Sequence, residues 1–167
     1  THNSIIPLSI KPSPNLPSLN AIRWYPTLCL FEPTQISIGR GTQFPFEVYG
    51  GQDSSDYSFV FIPKSIDGMS KHPKFENQKC YGKDLRETVN KGTLVYNFIS
   101  EQYNNYNGTD FITSKNFFIK LCGTDKILKG LEKGMSAEKI EQLFDQELKE
   151  YKELRKKYLL YPDYNER

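Results

Sequence analysis

The segment 28–50 concentrates the side chains of this sequence that are best suited to chemistry. It holds Arg40 between two glycines and carries two carboxylates, Glu32 and Glu47. A planar guanidinium can bind a carboxylate through two parallel hydrogen bonds. The segment therefore predicts a loop that contacts an anion or a sugar. The same residues equally fit an ion pair of Arg40 with Glu32 or Glu47 that pins a turn.

The two glycines, Gly39 and Gly41, allow the backbone beside Arg40 to take positive φ or to approach another surface closely. Successive backbone N–H groups in such a turn can converge on an anion. Asn15 and Thr42 are further candidates, either as sugar hydrogen-bonding groups or as supports for Arg40. A phosphate-binding loop is disfavoured, because the sequence has no GxxxxGK[ST] and the Gly-Arg-Gly does not clearly open a helix after a strand.

The composition indicates one globular domain spanning residues 1–167. Of its residues 37% are hydrophobic and 25% charged, with a net charge of +2 that is not gathered into one run. Nucleic acid is therefore not an expected partner. No stretch approaches the ~20 apolar residues that span a bilayer. The three cysteines are widely spaced without a C-x-x-C, which favours buried free thiols over a zinc site, and we expect no metal or cofactor.

The first half of the chain reads as strands and turns. Alternating or apolar runs predict short strands, and Ser18 is a predicted N-cap of a short helix whose extent Pro26 limits. A run of prolines at 12–17 predicts a stiff, extended connection. The predicted strands are Asn3–Ile10, Ile36–Ile38, Phe46–Tyr49, Tyr57–Ile62 and Lys79–Leu85, and the helix is Leu19–Trp24.

The second half reads as helices. Ser114 and Ser136 are predicted N-caps, and residues at spacings of three and four from Ile140 to Tyr158 predict one long amphipathic helix. We expect the closing residues 158–161 to pack back onto the core. The predicted helices are Leu94–Tyr103, Lys115–Cys122, one that starts at Thr124 and ends by Gly134, and Ala137–Lys157. The predicted fold class is α+β: a small mixed or antiparallel sheet from the N-terminal half, packed with helices from the C-terminal half.

Several motifs resemble one bacterial family, the C-terminal domain of the NamZ-type exo-β-N-acetylmuramidases. The blocks SPNLP (13–17) and GRGT (39–42) are specific for it, and the resemblance extends over nearly the whole chain. Pro33, Gln35 and 51–53 depart from the family pattern. Further matching blocks are Tyr25-Pro26, Cys29-Leu30-Phe31-Glu32, Thr34, Ser37, Pro45-Phe46-Glu47, CYGKDLR (80–86), LCGTD (121–125) and RKKYLLY (155–161).

The resemblance implies a two-domain glycoside hydrolase that releases terminal N-acetylmuramic acid from the non-reducing ends of peptidoglycan fragments. An upstream Rossmann-like domain, absent from this chain, would carry most of the catalytic apparatus, and this domain would form one wall of the substrate cleft. The expected partners are a peptidoglycan-derived saccharide and that upstream domain, in a periplasmic or secreted protein. Glu32 and Glu47 are the only carboxylates of the segment 28–50, and the sequence does not give the distance between them. The catalytic acid and base therefore stay unassigned.

N-acetylmuramic acid differs from N-acetylglucosamine by a lactyl ether that bears a carboxylate. An enzyme that selects the former needs a cation or converging N–H groups at that position, and Arg40 is the best candidate. The competing hypothesis is a non-catalytic module that binds glycan or the partner domain.

Overall fold

The computed structural model describes residues 7–52 and 57–161. Within them, three short strands form an antiparallel sheet and six helices follow or precede it, which confirms the α+β prediction. The strands are β1 (Val48–Gly51), β2 (Phe59–Phe61) and β3 (Cys80–Asp84), in the order β1-β3-β2. The helices are α1 (Leu19–Leu28), α2 (Tyr96–Asn105), α3 (Lys115–Cys122), α4 (Lys126–Glu132), α5 (Ala137–Gln142) and α6 (Asp145–Arg155).

The sheet depends on a close approach of two glycines. Gly50 of β1 faces Gly82 of β3 in the register that pairs Val48 with Asp84. A Cβ at Gly82 would lie 1.9 Å from the carbonyl oxygen of Tyr49. Only glycine allows the two backbones to come this close, so the glycines hold β1 and β3 together.

The core joins the start of the chain to its helices. A 3₁₀ turn, Cys29–Phe31, follows α1. Together with Trp24 and Leu28 of α1 it packs in one apolar cluster with Ile99, Phe118 and Ile127. A smaller cluster, Val48, Phe61 and Cys80, lies on the sheet. Cys29 and Cys80 are buried and Cys122 is half-buried, and all three are free thiols, as predicted.

The first half departs from its predicted elements at four places. Helix α1 continues through Pro26 to Leu28, because Trp24, Thr27 and Leu28 are all buried in the core. Strand β1 starts only at Val48, since Phe46 has a φ of 60°, which no strand residue adopts. Of the predicted strand Asn3–Ile10, residues 3–6 lie outside the described residues and 7–10 form no strand. The segment 36–38 forms only an isolated bridge, from Ser37 to Gly50.

The predicted long C-terminal helix is broken in two. Leu143 and Phe144 form a turn between α5 and α6, and the Phe144 ring stacks on Tyr96 at a centroid distance of 6.2 Å. The predicted apolar face continues along α6 but is not buried there, since α6 has no buried residue. The closing segment 158–161 was also predicted to pack back and does not: Leu160 is 91% and Tyr161 81% exposed.

Candidate functional site

A pocket of about 170 Å³ lies at the start of the distinctive segment. Its walls come from the residues after the 3₁₀ turn, from the 63–79 loop and from α3, so three separate parts of the chain build it. Charged groups stand beside apolar side chains. The lining residues are Glu32, Ile36, Ser37, Ile38, Arg40, Lys74 and Phe117.

Arg40 and Glu32 form the charged wall of the pocket. Arg40 Nη2 donates to Glu32 Oε1 at 2.9 Å, and the guanidinium carbon lies 5.0 Å from the centroid of the Phe46 ring. The Arg40 side chain remains 36% exposed. Of the two carboxylates that the sequence offered as partners, Glu32 is the one that pairs. An ion pair this exposed contributes only about 0–1 kcal/mol to stability, which leaves Arg40 available for other roles.

The turn around Arg40 is rigid for steric reasons. Gly39 and Gly41 have φ values of 77° and 82°, where a side chain is disfavoured. A Cβ at Gly39 would lie 2.7 Å from Val48 Cγ2, and one at Gly41 2.6 Å from the Lys64 carbonyl oxygen. The two glycines therefore allow the turn to pack tightly on the sheet and on the 63–79 loop, and Arg40 projects from a fixed backbone.

Thr42 belongs to the turn and not to the pocket lining. Its hydroxyl donates to the Gly39 carbonyl at 2.7 Å and accepts from the Phe44 N–H at 3.1 Å. The Thr42 N–H also donates to the Gly39 carbonyl. These bonds occupy Thr42 within the turn, so its geometry favours the supporting role over a sugar contact.

Asn15 and Glu47 lie apart from the pocket lining. The Asn15 side-chain N–H donates to the Met69 carbonyl at 2.8 Å, while its Oδ1 is buried and has no partner among the described residues. Glu47 Oε1 accepts from the Ser18 hydroxyl at 2.8 Å, the same side chain that caps α1. The structure thus brings Glu32 and Arg40 together and gives Asn15 and Glu47 partners elsewhere.

Lys74 is a pocket residue that the sequence did not reveal. Its ammonium donates to the carbonyl oxygens of Glu32 at 3.1 Å and Ile36 at 2.9 Å, and also reaches those of Phe31 and Thr34. Burial lowers the pKa of Lys74 to about 8, and the charge of Glu32 acts in the opposite direction. The ammonium therefore holds the backbone of residues 31–36 in a bend through these four carbonyls, and that bend positions Glu32. A lysine after a proline in a polar loop gives no sequence signal for this role.

A second polar cluster lies next to the sheet. Lys83 of β3 donates to both carboxylate oxygens of Glu101, at 2.9 and 2.7 Å, and the Tyr57 hydroxyl donates to the same carboxylate. Burial alone would raise the pKa of Glu101, but the hydrogen bonds from Lys83 and Tyr57 outweigh it and lower the pKa. A carboxyl group held ionised in this way cannot serve as a general acid. The cluster ties α2 to the sheet.

The described ranges offer neither a metal-binding cluster nor a membrane-spanning helix. Residues 7–52 and 57–161 contain no cluster of three or more His, Cys, Asp or Glu that could hold a metal ion. Their helices are too short or too polar to cross a membrane.

Fold and pocket together define a class: a small α+β domain with an arginine–glutamate wall on a rigid glycine turn. A family model described as "Exo-beta-N-acetylmuramidase NamZ, C-terminal" matches residues 23–161. The chain belongs to that family, as its motifs predicted.

Two longer relatives agree with this assignment. The chain is 32% identical to the peptidoglycan beta-N-acetylmuramidase NamZ of Bacillus subtilis (strain 168), over 91% of this chain and 40% of that protein. It is also similar to the crystal structure of a DUF1343 family protein from Bacteroides fragilis NCTC 9343, with 39% identity and a TM-score of 0.88. That match covers 98% of this chain and 47% of the other. The chain thus spans less than half the length of either relative.

Proposed function

We propose that this domain forms one wall of the substrate cleft of an exo-β-N-acetylmuramidase, a glycoside hydrolase that releases terminal N-acetylmuramic acid from non-reducing ends of peptidoglycan. The proposal rests on the family, on the activity in the name of the Bacillus subtilis relative, and on the Arg40 pocket. The remaining half of the protein would supply an N-terminal domain with the catalytic acid and base. Because its substrate is cell-wall material, the protein would act in the periplasm or after secretion.

The exposed guanidinium of Arg40 is the observation that carries the proposal. Glu32 accepts a hydrogen bond from Nη2 of Arg40, and Nε and Nη1 donate to none of the described residues. A guanidinium has five N–H donors, so it can hold Glu32 and a second carboxylate at once. We propose that the second is the lactyl carboxylate of N-acetylmuramic acid, with Ile36, Ile38 and Phe117 providing apolar contact beside it.

Three carboxyl groups of the domain are poorly suited to act as a general acid. A glycosidase needs one carboxyl group with a raised pKa to protonate the leaving oxygen. Hydrogen bonds from Arg86 lower the pKa of Asp84, those of Lys83 and Tyr57 lower that of Glu101, and Lys129 lowers that of Asp125. These shifts run against a general acid at those three residues. We propose that the catalytic acid lies in the N-terminal domain, so the isolated chain should be inactive.

The test is an Arg40→Lys variant of the full-length product of the gene, assayed on a chromogenic β-N-acetylmuramide and on the matching β-N-acetylglucosaminide. Loss of the bidentate fork should lower kcat/KM for the muramide by about 10- to 100-fold, the size of a charge-assisted hydrogen bond. The glucosaminide should change far less. Equal losses on both substrates would contradict the assigned role.

Arg86→Lys provides a matched control. Arg86 also pairs with a carboxylate, Asp84, and also stacks on an aromatic ring, Phe44, at 4.6 Å, but it does not line the pocket. Its replacement should leave the ratio of the two substrates unchanged. A shift in that ratio with Arg86→Lys would show that the assay reports general loosening of the domain.

The alternative is a module that binds glycan or a partner domain without contributing to turnover. The exposed apolar side chains of α6, Leu148, Tyr151 and Leu154, favour the partner-domain form of this alternative. If full-length protein hydrolyses the muramide and Arg40→Lys leaves turnover unchanged, the domain is such a module.

A further inference from the structure

The C-terminal end of the described chain carries an apolar surface that nothing in residues 7–52 and 57–161 covers. It consists of one face of α6 and the residues that follow it. The exposed fractions of its side chains run from 38% at Leu159 to 91% at Leu160. We call this set the C-terminal apolar surface: Leu148, Tyr151, Leu154, Tyr158, Leu159, Leu160 and Tyr161.

The surface has helical order. Leu148, Tyr151, Leu154 and Tyr158 recur at spacings of three and four, so they lie on one side of the helical segment that α6 and the following 3₁₀ turn form. The stripe starts at Phe144, which is partly buried in the core and stacks on Tyr96. Lys126 of α4 pairs with Glu147 and lies over the Phe144 ring at 5.7 Å, which fixes the start of α6. The helix is thus anchored at one end and projects its apolar face outward.

We infer that the C-terminal apolar surface is the docking face for the N-terminal domain of the same polypeptide. The chain corresponds to 40% and 47% of its two relatives, and the family to which it belongs is a C-terminal domain, so a larger N-terminal part precedes this region in those proteins. An attached domain would be present at every copy of this surface. This inference rests on the two-domain arrangement in the proposed function, and not on the assigned role of Arg40.

The part of the surface that lies on α6 itself is small. Helix α6 has 11 residues and is about 16 Å long, so its three apolar side chains offer a few hundred Å². Stable interfaces between separate proteins bury ~800 Å² on each partner. A covalently attached partner needs much less, because attachment gives it an effective concentration on the order of millimolar.

Hydroxyl-radical footprinting with mass spectrometry tests the inference. The oxidation rates of Tyr151, Tyr158 and Leu160 are compared between the 167-residue chain and the full-length gene product. We expect these rates to fall at least fivefold in the full-length product, while Val89, an exposed loop residue, reacts equally in both. Equal rates for the C-terminal residues in both proteins would overturn the inference. Protection already present in the chain alone, together with a dimer in sedimentation, would assign the surface to a second copy and overturn it too.

A double variant, Tyr151→Lys with Leu154→Lys, provides an independent test. Both side chains are exposed in the chain, so its Tm should stay within about 1 °C of wild type. In the full-length product the two charges should restore fast oxidation at Tyr158 and Leu160 and lower the Tm. Val89→Lys is the control and should do neither. Muramidase activity is not the readout, so failure of the Arg40 proposal and failure of this one remain distinguishable.

Discussion

At the residue scale, the pocket depends on two cations with different tasks. Arg40 presents N–H groups to the pocket from a rigid turn, while the Lys74 ammonium donates its hydrogen bonds to backbone carbonyls. Backbone carbonyls carry partial negative charge, so four of them around one ammonium substitute in part for lost water. Lys74 therefore shapes residues 31–36 and, through them, the position of Glu32.

The lowered pKa of Lys74 predicts a pH dependence of stability. The pKa is about 8 in the folded chain and 10.5 as the ordinary value, so between these pH values the unfolded chain binds more protons than the folded one. Stability from this group therefore rises as pH increases through that window. Chemical denaturation of wild type and of Lys74→Met should show the wild type gaining on the order of 2 kcal/mol relative to the variant between pH 8 and 10.

The variant serves as its own control for other titrating groups. Burial raises the pKa of Cys29 to about 11 from 9.0, which lowers stability at alkaline pH in both proteins alike. The difference between wild type and Lys74→Met reports Lys74 together with its charge coupling to Glu32 and Cys80. A difference that stays flat from pH 8 to 10 would mean that the four carbonyls keep the ammonium charged despite its burial.

At the scale of elements, the sheet and the functional turn are mechanically joined. Strand β1 follows directly from the turn that carries Arg40, and the Ser37–Gly50 bridge ties the two ends of that segment. The same Gly50 faces Gly82 across the sheet. Damage to the close pairing of β1 and β3 should therefore reach the pocket.

Gly82→Ala tests this coupling. The new Cβ would lie 1.9 Å from the Tyr49 carbonyl oxygen, so β1 and β3 must separate, at a cost of about 3 kcal/mol or more in unfolding free energy. Gly68→Ala is the control, because its Cβ would enter open space and only its φ of 74° is unfavourable, worth about 1–2 kcal/mol. Urea denaturation measures both. Equal losses for the two variants would show that the glycine pairing does not constrain the sheet.

At the scale of the whole molecule, the described residues form one large apolar core and one smaller apolar cluster on the sheet. Cys29 belongs to the first and Cys80 to the second. Burial raises the pKa of both thiols, to about 11 and about 12, so each is protonated as well as inaccessible near neutral pH. The two thiols therefore report separately on the opening of the two clusters.

Labelling with iodoacetamide at pH 8 uses this difference. Both thiols should remain unlabelled in the native chain and react only as denaturant unfolds it, read for each cysteine by mass spectrometry. The three-stranded sheet is small and its cluster has few members, so Cys80 should become labelled at lower denaturant than Cys29. Coincident labelling curves would instead show that the two clusters unfold as one unit.

Local sequence determined the features that depend on neighbours a few residues apart. The N-caps Ser18, Ser114 and Ser136 each accept from the N–H three residues on, and α3 has the predicted bounds. The conformation at Gly39 and Gly41 was likewise readable, since glycine adopts positive φ more readily than other residues. The α+β class and the family motifs also follow from the chain itself.

Only the tertiary structure decided the partners that lie far apart in sequence. Glu32 pairs with Arg40 while Glu47 bonds to Ser18, and Lys74 reaches carbonyls about 40 residues away. No local rule ranks such alternatives, because loop paths bring the groups together. Periodicity placed Leu154 and Tyr158 on one face of a helix, but it could not tell whether that face packs against the core of this domain. In the structure both side chains are exposed. A hydrophobic pattern specifies which side chains share a face, and the burial of that face depends on what packs against it.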